Sequence, residues 1–402
     1  MKISATLLVM CGCVLQAQTP AVFATGLLNP SKLLLTPAGN LLVTEVGTSP
    51  NSGRVSLIDK SGMRKTLIDG LPSGLAAPNM NPDGPNGLAL KGNALYILNG
   101  EGDGFRIGTR PNTIVPNPTG PSSSLFSSLM KLTLSGSVDA AAGGMTLTAA
   151  NQATLADGNP ATLNDSTGAS ATLEMVTDFR DGVADPITVW RNSHPYGLAA
   201  LEGRPDTLYV ADAGMNSLYE VTLSTGRSRV LTHFGGLRNP TGIAGLPLSE
   251  AVPDSVRPYG DQLLVSLLHG FPFPAGGAQI AVVDPATGVS MPFIGNLTSS
   301  IDVLTYTVST LPAGQATFIG NLTSSIDVLA LPGTAQPVFF TLEYSTNQLA
   351  GAPGRVTRYD TSQGVVIASG LNGPTNLAYD AASQTLYVSV HNDGTIVKIT
   401  GQ

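Results

Sequence analysis

A short phrase returns six times along this chain, and any fold must account for all six. It is a run of apolar or aromatic residues rich in β-formers: LLVTE (Leu41–Glu45), LYILN (Leu95–Asn99), LYVAD (Leu208–Asp212), LLVSL (Leu263–Leu267), FFTLE (Phe339–Glu343) and LYVSV (Leu386–Val390). Upstream of each run sits a second mark, read as NPSKL (29–33), GPNGL (84–88), HPYGL (194–198), NPTGI (239–243), SSIDV (324–328) and GPTNL (373–377), and five of these six carry a proline. Proline fixes φ and lacks an N–H, so it suits the start of a strand and not its middle.

Downstream of most runs comes a third strand ending near a turn, as in RVSLIDKSG (54–62), SLYEVTLSTG (217–226) and RVTRYDTSQG (355–364). A fourth precedes the next proline mark, as in KTLIDGL and VVIASGL. Four antiparallel strands with two apolar faces cannot stand alone in water, whereas copies stacked around an axis bury each other's faces. The expected fold is therefore all-β, a six-bladed β-propeller. AVFATGL (21–27) matches a fourth strand, while the chain ends after a third. The N-terminal strand is accordingly expected to close the last blade, which leaves no open edge at the seam.

Two features interrupt the rhythm. The twelve residues FIGNLTSSIDVL occur at Phe293–Leu304 and again at Phe318–Leu329. Only the second copy is followed by a full blade, so residues 293–317 read as a tandem duplication that adds a hairpin to one blade, not a seventh blade. Residues 104–128, rich in Pro, Ser, Thr and Asn, and 135–171, dominated by Ala, Gly, Thr and Asn, read as long insertions in the second and third units.

The N-terminus MKISATLLVMCGCVLQAQTP has one early lysine, a mostly apolar stretch and a small residue at Ala17. This fits a secretory signal over residues 1–17 and is too short to span a membrane. Residues 18–402 are expected to form a single propeller domain, secreted or periplasmic. Cys11 and Cys13 are the chain's two cysteines and both fall within that signal, so no disulfide is expected in the mature protein. Met10-Cys11-Gly12 is a poor lead-in for a lipid-modified Cys13, which makes a lipoprotein the lesser reading. A net charge of −7 without any Lys/Arg run argues against nucleic acid as a partner. A monomer is expected, with a small molecule, glycan or protein as its partner.

Three longer phrases, SHPYGLAAL with LYVADAG, then LLHGFPFPAGGAQ, then LEYSTNQLAGAPGR, resemble exported six-bladed propellers with NHL-like blades related to those of cyanobacterial scytonemin-pigment biosynthesis clusters. The resemblance runs from about Val22 to the C-terminus. It implies a signal peptide, a propeller and a role outside the cytoplasm, and it supplies no catalytic residues. His194 stands where the resemblance leads one to expect Asn.

In a blade the innermost strand and its neighbour are antiparallel, so the start of one and the end of the other share a face of the ring. That geometry gathers His194, Tyr196 and Asp327 from the starts with Glu45, Asn99, Asp212, His269, Glu343 and His391 from the ends, beside Asn29, Asn86, Asn239, Asn376 and Glu101. Such a ring of carboxylates, amides and imidazoles is the candidate binding surface. A divalent cation would suit it, calcium through oxygen ligands or zinc through His with carboxylate, though no close ligand spacing points to one. The competing reading is that polar residues at strand ends bond nearby backbone. No nucleophile elbow, Walker loop or dinucleotide fingerprint is present, so the sequence leans towards a binding or scaffold protein. A metal-assisted hydrolase or lyase on the same mouth and a structural envelope protein are the alternatives.

Overall fold

Five of the six blades begin on a proline and blade 5 on Ser325, and each runs outward through four antiparallel strands. The computed structural model describes residues 19–76, 81–109, 114–179, 192–239, 241, 247–271, 273, 277–297, 325–331, 338–346, 350–359 and 364–402. Blade 1 comprises Pro30–Leu35, Leu41–Glu45, Gly53–Ile58 and Arg64–Leu71, and blade 2 comprises Pro85–Lys91, Ala94–Asn99, Ser128–Thr133 and Ser170–Asp178. Blade 3 is Pro195–Ala199, Thr207–Asp212, Ser217–Thr222 and Arg227–His233, and blade 4 is Pro253–Tyr259, Gln262–Leu267, Ala278–Val283 and Ser290–Leu297. Blade 5 is Ser325–Leu331, Val338–Glu343, Gly354–Tyr359 and Gly364–Leu371. Blade 6 takes Pro374–Asp380, Thr385–Val390 and Thr395–Thr400 from the C-terminus and Ala21–Ala24 from the N-terminus. The six sheets form a β-propeller.

The closure joins the two ends of the chain. Ala21 pairs with Lys398, Val22 with Val397 and Ala24 with Ile396, antiparallel. Phe23 packs on Tyr387 with ring centroids 4.9 Å apart. Gly62 fits this seam because a Cβ there would lie 2.2 Å from the Phe23 carbonyl oxygen, at a φ of +90°.

The core lies between blades, as the two-faced apolar strands require. Leu88, Leu95 and Ile97 of blade 2 pack on Leu42, Val55 and Ile68 of blade 1. Leu208 and Val210 meet Leu98 and Leu129 between blades 2 and 3, while Val256 and Val265 meet Tyr209 and Leu218 between blades 3 and 4. Further groups join blade 5 to 6 and blade 6 to 1. Each such buried aliphatic side chain contributes about 1.5–3 kcal/mol, and many are fully excluded from water.

Blade 4 corrects the sequence reading. NPTGI at 239–243 does not open it; Pro253 does, pairing with Leu267. Asn239 instead sits beside a two-stranded connector (Leu237–Arg238 with Leu248–Ser249), accepting bonds from the N–H and hydroxyl of Thr241. Spacing separates the two prolines: Pro253 stands ten positions before Leu263 and Pro240 twenty-three, and a tight hairpin needs the nearer one.

Both insertions belong to blade 2, and the second is ordered. It forms a strand at Met145–Thr146 that pairs parallel to blade 1's outer strand, a helix at Ala149–Ala156, and a strand at Ala161–Asn164 that extends blade 2. Asp139 accepts from Thr36 Oγ1 (2.5 Å) and Asn40 Nδ2 (2.8 Å) of blade 1. Gln152 donates to Asn51 Oδ1 and to the Gly70 carbonyl. The insertion therefore straps two blades together.

The two copies of the duplicated peptide serve different roles. Phe293–Leu297 ends blade 4's outer strand, and Ser325–Leu329 begins blade 5's innermost strand. The hairpin expected between them lies outside the described residues, as does the signal segment 1–17.

Candidate functional site

A repeated irregularity builds the site. In every blade the first residue of the innermost strand pairs with the last residue of its neighbour: Pro30 with Glu45, Pro85 with Asn99, Pro195 with Asp212, Pro253 with Leu267, Ser325 with Glu343 and Pro374 with Val390. The register then shifts by a bulge. The residue after the opening position, Ser31, Asn86, Tyr196, Asp254, Ile326 or Thr375, is left out of the ladder. A bulge re-aims the side chain it releases. Four of these six, Ser31, Asn86, Tyr196 and Thr375, line one cavity of about 340 Å³.

Asp83, Glu101 and His194 join them there, with Tyr344 and His391. The lining thus comes from blades 1, 2, 3, 5 and 6 and from the connector between blades 1 and 2, across the mouth of the channel.

The centre of charge is His194. Its Nε2 lies 3.4 Å from Asp83 Oδ1, an ion-pair distance without a well-directed hydrogen bond, and its Nδ1 lies 3.9 Å from Glu101 Oε1. Burial pulls the imidazole towards its neutral form, but the Asp83 and Glu101 carboxylates outweigh it and raise its pKa to about 10. Burial likewise opposes the charge on Asp83. The imidazolium and the Gly102 N–H (2.7 Å) and Asn86 Nδ2 (2.6 Å) bonds win, so the carboxyl is held below its usual range. Gly100 leaves room for this arrangement: a Cβ there would fall 2.4 Å from both Asp83 oxygens.

His391 shares the cavity in the opposite condition. Burial depresses its pKa, partly offset by a hydrogen bond with the Pro30 carbonyl, and its Nδ1 is buried without a hydrogen-bond partner. Tyr196 stands edge-on to His194 with ring centroids 5.8 Å apart, and burial raises its hydroxyl's pKa.

The structure brings His194, Tyr196, His391, Asn86 and Glu101 of the expected residues into this cavity, and the others are not among its lining. Glu45 is fully buried and accepts from the Leu28 N–H (2.6 Å), Arg54 Nε (2.7 Å) and Ser56 Oγ (2.5 Å). Glu343 makes the equivalent pair with Arg355, both residues being cross-strand partners as Glu45 and Arg54 are. Asp212 accepts from Ser193 Oγ (2.5 Å) and from the His194 and Met215 N–H groups (2.8 and 3.0 Å), and burial raises its pKa in spite of them. It holds the backbone that carries His194. Asn99 donates to Ser128 Oγ (3.1 Å), and His269 lies with its ring nitrogens 2.9 Å from the Gly270 and Arg238 carbonyls. Asn376 accepts from the Leu33 N–H (2.9 Å) and so ties blade 6 to blade 1. Asp327 pairs with Leu342 in the ladder, at the register position of Asn376, and its side chain lies outside the described residues.

Asp83 was not among the expected residues. Its signal was local: it stands two positions before Pro85, inside NPDGPNG, on the same end of the blade as the proline mark. Among the described residues, no group of three or more His, Cys, Asp or Glu stands so as to hold a metal ion, so the expected divalent cation finds no assembled ligand set there. No helix among the described residues is long and apolar enough to cross a membrane.

No family model and no curated protein matches this chain. Solved structures similar to it include a calcium-binding regucalcin from Agrobacterium tumefaciens, 12% identical over 95% of this chain and 93% of that one, with a TM-score of 0.45. The PQQ-bound aldose sugar dehydrogenase of Streptomyces coelicolor is 13% identical over 94% and 96%, also at 0.45. A virginiamycin B lyase from Staphylococcus aureus, in a catalytically inactive form with quinupristin, is 11% identical over 93% and 95%, at 0.40. The chain is a six-bladed β-propeller in its fold, and these likenesses carry nothing about its chemistry.

Proposed function

We propose that this protein is an exported binding propeller that holds a small polar organic molecule in the mouth of its central channel. The observation that carries the reading is the cavity itself: five blades converge on about 340 Å³, a size typical of small-molecule sites, with aromatic and hydrogen-bonding side chains around the charged cluster of His194, Asp83 and Glu101. Four of the six bulges support it, since a purely structural ring has no use for releasing Ser31, Asn86, Tyr196 and Thr375 from four ladders into the same space. Export rests on the N-terminal segment, and kinship with the scytonemin-related propellers rests on the SHPYGLAAL, GFPFPAG and LEYSTNQLAGAPGR phrases.

Thermal-shift and calorimetric titration against a panel of small neutral, amine and acidic compounds tests the reading. A bound compound should lose affinity in His194→Gln and Tyr196→Ala while Glu45→Gln retains it. A panel in which nothing shifts the wild-type protein removes the proposal. Mass measurement of the protein recovered outside the cytoplasm should show the N-terminus at Gln18, and an uncleaved chain would remove the export reading.

A further inference from the structure

Five junctions between neighbouring blades are sealed by apolar clusters, and among the described residues the junction of blades 4 and 5 has none. The difference lies at one register position. Two residues before the end of each second strand stands Val43, Ile97, Val210, Val265, Thr341 or Val388. The five aliphatic ones pack on the blade before them. Thr341 lies between Phe340 and Leu342, which pack on blade 6, so it faces blade 4. In blade 4, Val265 and Leu267 pack on blade 3, so Ser266 between them faces blade 5. Leu264 and Ile280 are buried on that same face and belong to none of the clusters.

Each of the two hydroxyls has a companion. Ser266 pairs across its ladder with Ser255, and Thr341 with Thr357. Cross-strand partners share a face, so a serine pair and a threonine pair stand on the two sides of one junction. All four residues are buried, the most exposed being Thr357 at 4%. None of the four hydroxyls has a hydrogen-bond partner, and among the described residues they are the only buried Ser or Thr hydroxyls in that condition. Buried hydroxyls at other junctions are satisfied: Thr44 accepts from the Lys32 N–H (2.9 Å), and Ser389 donates to the Ser31 carbonyl (3.0 Å). A buried hydroxyl left unpaired favours any state that lets water reach it.

We propose that the wheel opens at this junction: blades 4 and 5 separate locally and admit water to Ser255, Ser266, Thr341 and Thr357 while the other five junctions stay shut. Two effects act in the same direction. The junction lacks the apolar burial that holds the others closed, and separation gives four hydroxyls their hydrogen bonds. Tyr344, directly after the second strand of blade 5, lines the mouth cavity, and among the described residues no part of blade 4 does. The separation therefore shifts one wall of that cavity.

The test is alkylation of introduced thiols by iodoacetamide under native conditions, read by peptide mass spectrometry, which distinguishes each from Cys11 and Cys13. Thr341→Cys, Val265→Cys and Val388→Cys place a thiol at the same register position on three successive junctions. Thr341→Cys should react at least about tenfold faster than the other two, since each unpaired hydroxyl that remains there shifts the opening equilibrium by roughly that factor. Adding Ser266→Ala and Thr357→Val to Thr341→Cys should slow its reaction by about tenfold or more. Circular dichroism checks that each variant is folded. A measurement that needs no thiol is the melting temperature of Thr341→Val, which should rise, because the change removes an unpaired hydroxyl and supplies the methyl group that the other five blades carry. Equal reaction rates at the three positions would mean that the wheel opens only as a whole and would overturn the inference. A lowered melting temperature in Thr341→Val would overturn it as well, by showing that its hydroxyl holds the junction together.

Discussion

Replacing Glu45 by Ala should cost this protein about 3–5 kcal/mol, although the residue stands beneath a polar rim where carboxylates are expected to serve a ligand. The side chain is fully buried and its carboxylate accepts from a backbone N–H, a hydroxyl and the Arg54 guanidinium, whose side chain is 15% exposed. Removing it takes the acceptor from the Leu28 N–H, the Ser56 hydroxyl and Arg54 Nε, and the carboxylate from the Arg54 guanidinium. Truncating one member of a buried ion pair typically costs about 3–5 kcal/mol, and an orphaned buried donor about 1–3 kcal/mol, so the upper part of that range applies. The Glu45→Gln change keeps one acceptor oxygen and should cost roughly half as much. Urea or guanidinium melting of the purified proteins gives the free energies, and melting temperature should fall by roughly 2 °C per kcal/mol for a domain of this size. Arg54 also donates to the Gly26 carbonyl, just beyond the N-terminal strand, so near-ultraviolet circular dichroism of Phe23 and Tyr387 should report the same loss. A cost below about 1 kcal/mol for Glu45→Ala would refute the reasoning, because it would mean that the carboxylate is free to act elsewhere.

The stability that His194 contributes through Asp83 and Glu101 has a pH signature. Its folded pKa, near 10, lies above the ordinary 6.5, so the contribution is complete below pH 6.5 and is lost as pH rises through about 10. The stability gap between wild type and His194→Gln should therefore be widest in that lower range and narrow in alkaline buffer, as read by denaturant melts across pH. Gly100→Ala should disturb the same cluster, since the added methyl falls on the Asp83 carboxylate; a loss of several °C in melting temperature and of ligand affinity is expected, and an unaffected protein would show that the cluster yields easily. Deleting residues 293–317 removes one copy of the duplicated peptide and should leave a folded β-protein with unchanged far-ultraviolet circular dichroism, whereas aggregation would show that both copies are needed.

The wheel was legible because its periodic features are local: a proline opening, an apolar run, a turn, repeated at blade intervals. The N-terminal strand could be assigned to the last blade by counting strands. Blade 4 was misplaced because NPTGI has the same composition as a true opening, and only its distance from Leu263 betrays it. The site was half legible. Tyr196 was found because it follows an opening proline, and His391 because it follows a run. Glu45 and Glu343 looked like their equals, yet each is followed by a Gly-Arg-Val phrase that starts the third strand and delivers an arginine directly opposite. A charge at a strand end with an opposite charge at the next strand start reads as a buried pair, whereas Asp212 faces Ser217 across its ladder and is buried on backbone and Ser193 donors that no such pairing reveals. The order of the 135–171 insertion was invisible because its contacts are long-range: Asp139 and Gln152 are meaningful only beside blade 1.

The bulge behind each opening position has an evolutionary and engineering corollary. A residue excluded from the cross-strand ladder is held by its side chain instead: Asn86 donates to Asp83, and Thr375 of blade 6 donates to the Pro30 and Ser31 carbonyls of blade 1. Recognition and closure are thereby coupled, so a substitution at Thr375 would alter both what the cup accepts and the seam between the last blade and the first.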